Sequence, residues 1–488
     1  MTLADERLRE LDSPSLTADG RALLRSQVAA DFIHKGQYEA AREALGEHWR
    51  GTGERPNLEG LGERATAEVL LEAGVLSGWI GKVKGAQEAA KDLISESAAL
   101  FERLGESNRA ATARAEMALC YWREGAYSEA RVMLRQAAAL IKDDASLKAK
   151  TVLRFAVVET SAGRYSDALQ LLTVSAPLFD EVSHTLRGSF HNELALVLRR
   201  LGAAERRQDY VDRAIIEYAA AVYHAEQAQH ERYVARIENN LGFLLYKLGR
   251  HAEAHAHLDR AQTIFTRLRD AGSLAQVDET RARVLVAERR YRDAERTLAG
   301  AVKTLEQGDE SALLAEALTV QGVVWARLWL YEESINVLHR AAELAESAGA
   351  QASAGLAVVT LIEEHGATWR LSPDEVYEAY QRADRLLKDS QETEDAARLK
   401  ACARVVMKRL TTVQFGDKNF TLPGAVHQFE AKLIELALEE TGGSITKAAR
   451  LLGLTHQTLG SILSTRHKNL SPKRKPPRKR LKSIIKDT

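Results

Sequence analysis

Eight cationic side chains crowd the last eighteen residues: Lys473, Arg474, Lys475, Arg478, Lys479, Arg480, Lys482 and Lys486, against the single acid Asp487. The whole chain is neutral, so the +7 of this tail and the +1 of residues 424–470 leave −8 before Gly424. An acidic body with a basic end points to a polyanion met by the C-terminus alone. Other chemistry is sparse. His251 and His255 stand at i and i+4, which is ligand spacing, with His257 nearby. No carboxylate or cysteine in the local sequence completes a metal set, and packing also explains the histidines. Cys120 and Cys402 lie in apolar helical patterns and read as small core residues. No Gly-x-x-x-x-Gly-Lys-Ser/Thr phosphate loop, His-Glu-x-x-His, paired-cysteine motif or Gly-x-Ser-x-Gly elbow occurs. The expectation is a protein that is not an enzyme and needs no cofactor or metal.

The tail follows a stretch that must position it, Phe429 to Leu470. Leu433, Ile434, Ala437 and Leu438 recur at helical spacing and predict an amphipathic helix, roughly Ala425 to Glu440. Gly442-Gly443 permits a left-handed exit. Ser444 is placed to cap a short second helix with Ala448, Ala449, Leu451 and Leu452 on its apolar face. Gly453 breaks that helix, Leu454 is placed to plug the core, and Thr455 to cap a third helix held by Leu459, Ile462 and Leu463. A support helix followed by two short helices across a tight glycine turn is the plan of a helix-turn-helix.

The run Gly443-Ser444-Ile445-Thr446-Lys447-Ala448-Ala449-Arg450-Leu451-Leu452-Gly453-Leu454 resembles the Fis family of DNA-binding domains, which also closes bacterial sigma-54 activators. The ATPase module of those activators has no counterpart here. The resemblance implies that the third helix enters the major groove and that Thr455, His456, Gln457 and Thr458 reach base edges. It implies phosphate contacts for Lys447 and Arg450. Ser461, Arg466 and Lys468, with Lys473, Arg474, Lys475, Arg478, Lys479 and Arg480 of the tail, complete the expected DNA-contacting set. The chain departs from the family at Gly460 and Ser461, where larger or basic side chains are usual. Fis domains bind as dimers, which implies a homodimer through the support helix and its Val426, Phe429, Leu433, Leu436 and Ala437.

Before this domain the chain repeats itself. Gly-x-Tyr-x-x-Ala occurs at Gly36-Gln37-Tyr38 with Ala41, at Gly125-Ala126-Tyr127 with Ala130, and at Gly163-Arg164-Tyr165 with Ala168. Weaker copies end on Ala90 (from Gly85), Ala214, Ala254, Ala294 and Ser334. Most intervals are 38 to 40 residues, and the two longer ones are read as carrying loop insertions. Twelve residues before these positions stand Ala29, Gly78, Ala118, Ala156, Gly242, Ala282 and Gly322. Seven after stand Ser97, Ala137, Ser175, Ala221, Ala261, Ala301 and Ala341, with His48 the exception. Small residues in such a register let paired helices cross closely.

This pattern resembles the tetratricopeptide repeat, whose usual unit is about 34 residues. The expected fold is all-α: a tetratricopeptide-like solenoid over 1–410, with clear repeats at about 22–348 and irregular helices at 350–410. A linker (411–423), the helix-turn-helix domain (424–470) and a basic disordered tail (471–488) follow. Ser372-Pro373-Asp374-Glu375 reads as a helix start. By resemblance, Asn240 faces a concave groove that binds a protein or peptide. Glu193, read as its equivalent one unit earlier, would repel a carboxylate. No secretory leader opens Met1 to Glu6, and no apolar run spans a membrane. The combined expectation is a cytoplasmic, nucleoid-associated bacterial transcription regulator. The alternative is an interaction scaffold whose helix-turn-helix no longer binds DNA specifically.

Overall fold

The computed structural model describes residues 16–34, 37–80, 86–308, 311–368, 370–390, 392–411 and 421–473. Two compact units divide at residues 409 and 410. Gly36 and Gly85 of the repeat motif lie outside the described residues, as do 412–420 of the linker and Arg474 to Thr488 of the tail.

The first unit is a succession of antiparallel helix pairs. It begins with α1 (Ala18–His34) and α2 (Tyr38–Leu45), then α3 (Glu63–Ile80) and α4 (Ala86–Arg103). Next come α5 (Ser107–Arg123) with α6 (Tyr127–Leu140), and α7 (Ala145–Ser161) with α8 (Tyr165–Ser175). The middle pairs are α9 (His184–Glu205) with α10 (Gln208–Gln227), and α11 (Glu231–Lys247) with α12 (His251–Arg267). They continue as α13 (Ala271–Ala287) with α14 (Tyr291–Gln307), and α15 (Ser311–Arg327) with α16 (Tyr331–Ser347). The unit closes with α17 (Gln351–His365), α18 (Pro373–Leu387) and α19 (Thr393–Thr411). No strand occurs among the described residues.

The small-residue register is the packing code of these pairs. Ala41, Ala90, Ala130, Ala168, Ala214, Ala254, Ala294 and Ser334 are wholly buried. A Cβ on Gly322 would sit 2.5 Å from the Leu338 side chain, and one on Gly242 3.0 Å from Leu258. Gly202 holds the same place in the α9–α10 pair, where a Cβ would meet Val211 at 2.7 Å, and completes a series that lacked a member there. Two serines of the register bond across their pairs: Ser97 Oγ donates to the Ala67 carbonyl and Ser334 Oγ to that of Gly322, each at 2.7 Å. Gly125, Gly163 and Gly249 end their helices at φ of 75°, 71° and 72°. Arg289 and Trp329 occupy the same turn in the weaker copies, at φ 61° and 70°.

One of the long intervals carries the expected loop, after Leu45 and its 3-10 turn Gly46–His48. The other does not. Between Ala168 and Ala214 the extra length goes into the 3-10 segment Ala176–Glu181 and the 22-residue helix α9. Ser372 and Glu375 form a reciprocal capping box at α18. Both cysteines are buried, and burial pushes Cys120 up to about 11 and Cys402 up to about 12.

The second unit contains α20 (Leu422–Glu440), α21 (Ile445–Leu451), α22 (His456–Thr465) and the 3-10 turn Lys468–Lys473. Pro423, assigned to the linker from the sequence, lies in the first turn of α20, where Thr421 caps the helix. Among the described residues no helix is long and apolar enough to cross a membrane.

Candidate nucleic-acid interface and solenoid groove

The core of the second unit is small: Ile434, Ala437, Leu438, Ile445, Ala448, Ala449, Leu459, Leu463 and Leu470. Gly442 and Gly443 take φ of 61° and 81°, and the Gly443 amide returns to the Leu438 carbonyl at 2.7 Å. Ser444 stands at the start of α21 but makes no side-chain cap. Leu451 is exposed, contrary to the sequence reading. A seven-residue helix has room for one buried stripe, and Ile445, Ala448, Ala449 and Leu452 fill it at i, i+3, i+4 and i+7. Leu454 is likewise exposed rather than core, and Ala437, expected on the dimer face, is buried in the core instead. Gly453, at φ 68°, lets the Leu454 amide reach the Ala449 carbonyl at 2.8 Å.

Thr455 caps α22 as expected, accepting from the Thr458 amide at 3.1 Å. Its hydroxyl also lies 2.8 Å from that of Thr458, so these two groups satisfy each other. His456, Gln457 and Ser461 are exposed on α22, and Lys447 and Arg450 on α21. Lys468 is exposed, whereas Arg466 pairs with Glu430 at 3.2 Å. Buried His467, not singled out from the sequence, holds the same carboxylate at 2.9 Å. That hydrogen bond, with the Arg466 charge, lowers the Glu430 carboxyl below its usual range. The Lys473 backbone ends the 3-10 turn; Arg474, Lys475, Arg478, Lys479 and Arg480 lie outside the described residues.

In the first unit, Asn240 lines a cavity of about 990 Å³ with Asn239, Arg199, Arg200, Phe243 and Lys247. Glu193 is elsewhere. It is buried, accepts from the Thr160 hydroxyl at 3.0 Å, and burial pushes it up to about 7. The Gly202–Gly242 alignment puts Arg200, not Glu193, at the place of Asn240 one unit earlier, so that face carries a cation where an acid was expected. The Asn239 Oδ1 atom is buried without a hydrogen-bond donor among the described residues. Two of the three histidines face carboxylates: His255 Nε2 lies 3.2 Å from Glu288, and His257 Nδ1 2.5 Å from Glu238.

A support helix, two short helices across a glycine turn, and polar and basic side chains on the outer faces define a helix-turn-helix domain. Residues 425–461 match the family described as Bacterial regulatory protein, Fis family. The C-terminal domain is therefore a Fis-type DNA-binding domain, carried by a tetratricopeptide-like solenoid. Among solved structures, the Rap protein complexed with competence and sporulation factor is 19% identical, with 74% of this chain and 98% of that one covered and a TM-score of 0.46. The apo quorum sensor NprR from B. thuringiensis is 14% identical, with 70% and 97% covered and a TM-score of 0.48. The signal transduction ATPase with a tetratricopeptide repeat sensor from Pyrococcus horikoshii is 14% identical, with 90% and 67% covered and a TM-score of 0.43. No curated protein matches the chain.

Proposed function

We propose that the chain is a transcription regulator acting in the bacterial cytoplasm at the nucleoid, without catalytic activity. Its Fis-type domain binds DNA as a homodimer, and its solenoid groove takes a peptide segment of a partner. The observation that carries the dimer is the outer face of α20. Leu422, Val426, Phe429, Leu433 and Leu436 are spaced by 4, 3, 4 and 3 residues and are 41% to 69% exposed. Such a seam at a seven-residue repeat is what a second helix buries. One helix-turn-helix offers few base contacts, and a two-fold pair doubles them on a pseudo-palindromic site. The peptide reading rests on Asn239 and Asn240, whose amides can pair with an extended backbone inside the cavity.

Mapping bound DNA across a genome, followed by sedimentation of the full chain with a recovered site, tests the DNA reading. The expected result is an inverted-repeat site holding two chains. A monomer at tens of micromolar with and without DNA would remove the dimer. Screening the full chain against a peptide array tests the groove, with binding lost in Asn239→Ala/Asn240→Ala.

A further inference from the structure

Two carboxylates from the end of the solenoid already occupy its middle. Glu392, just before α19, accepts from the Tyr165 hydroxyl at 3.2 Å and pairs with Arg200. Glu394, in the first turn of α19, accepts from Lys247 Nζ at 2.7 and 2.8 Å. These partners lie 227, 192 and 147 residues away in sequence, and Glu392, Glu394, Arg200 and Lys247 all line the cavity that Asn239 and Asn240 line.

The cations at this end of the cavity need an anion. Arg199 and Arg200 are neighbours on α9; burial, then the Arg199 charge, lowers Arg200. Arg199 lies over the Phe243 ring at 5.5 Å. Arg283, also on the cavity wall, has its own acid, Glu279, on the same helix, and Arg398 pairs with Glu363. Arg200 and Lys247 instead draw their pairing carboxylates from the start of α19. Both pairs are a third or more open to solvent, so each holds weakly and exchanges readily. The rest of α19 is fastened independently: Cys402 and Val406 enter the core, and Arg409 Nη2 donates to the Leu371 carbonyl at 2.5 Å. The two glutamates can therefore leave the groove without unseating the helix.

We propose that Glu392 and Glu394 are internal stand-ins for the groove's ligand, and that this ligand is an acidic peptide with two carboxylates separated by one intervening residue. This rests on the reading of the groove as a peptide site. The incoming carboxylates take Tyr165, Arg200 and Lys247, and its backbone meets the Asn240 amide on the cavity wall. Displacement of the glutamates frees the start of the helix that ends where the connection to the DNA-binding domain begins.

The test uses the full chain and a fluorescein-labelled peptide copying residues 388–397, with a control in which its two glutamates are glutamines. Glu392→Gln/Glu394→Gln should bind the acidic peptide about ten-fold more tightly than the wild type, because the competing state is removed. Adding Arg200→Gln, or separately the more exposed Lys247→Gln, should cancel that gain, and the glutamine peptide should bind neither form. Melting curves establish that each variant is folded. Equal affinity in wild type and double variant, or indifference to the peptide's charge, overturns the stand-in. If array peptides bind the groove but none is acidic, this inference falls and the peptide reading stands. If no array peptide binds wild type or double variant, the peptide reading falls and takes this inference with it.

Discussion

The solenoid and the helix-turn-helix domain keep their information in opposite places. In the solenoid the decisive residues are the smallest and most deeply buried: Ala130, Ala254, Gly202 and Gly322 set how closely two helices cross. In the DNA-binding domain a nine-residue core merely holds α20, α21 and α22, and the specifying residues are exposed. The contrast teaches that the two units should fail differently when changed. Interior substitutions in the solenoid should cost stability, and surface substitutions in the domain should change DNA recognition while leaving stability alone.

The largest effect should come from the polyelectrolyte end. Deleting residues 471–488 should reduce the log–log salt dependence of DNA binding by about 3 to 4, if roughly four of its cations meet phosphates. Preference between sites should survive, since phosphate contacts carry no sequence information. Isotherms at several salt concentrations measure both. An unchanged slope would move the tail's work elsewhere. Next, Ala130→Leu or Ala254→Leu should overfill a helix crossing and destabilise by about 1–3 kcal/mol in thermal melts. Exposed Glu129→Leu should do almost nothing, and equal melts for all three would break the contrast on the solenoid side. Gln457→Ala should blur base preference by about 1–3 kcal/mol without altering the salt slope.

Two single carboxylates, one in each unit, should also answer pH with opposite signs. Buried Glu193 titrates near 7, above its unfolded value, so its contribution is full under acid conditions and is lost as pH rises through that region. Glu430 is depressed by its His467 bond, so its contribution is present above the unfolded carboxylate range and is lost as pH falls through its lowered value. Melts of the full chain from acid to mildly alkaline pH, with Glu193→Gln and Glu430→Gln as controls, separate the two slopes. The smallest effects concern single backbone positions. Gly460 has nothing within 4 Å of an added Cβ, so Gly460→Ala should stabilise α22 by up to about 1 kcal/mol. Arg289, at φ 61°, should gain about 1 kcal/mol as Arg289→Gly.

Much of this was legible because periodicity writes packing into the sequence. Alanines and glycines repeating every 38 to 40 residues disclosed the pairs, and the turn glycines between Thr441 and Leu454 disclosed the helix-turn-helix. The misreadings arise where one position depends on counting across an irregular unit. The stretched α9–α10 pair displaced the equivalence of Asn240 from Arg200 to Glu193, which inverted the expected charge of the groove. Leu451 and Leu454 read as inward-facing and are exposed, because an apolar residue near a helix face does not reveal which side a short helix turns inward. The reach of Glu392 to Tyr165 and Arg200 was illegible altogether. It follows no period, and nothing local in the sequence announces a contact across 227 residues.

That same reach alters how the chain comes to be folded. A repeat array held only by neighbouring contacts can assemble from its first pair onward and fray from either end. Ties from Tyr165, Arg200 and Lys247 to residues 392 and 394 join an earlier-made region to one synthesised 147 to 227 residues later. During synthesis, which runs from the N-terminus, the groove is built but unguarded until α19 emerges. On the proposed reading, a nascent solenoid meets a peptide without the competing glutamates for an interval, and the finished chain meets it with them.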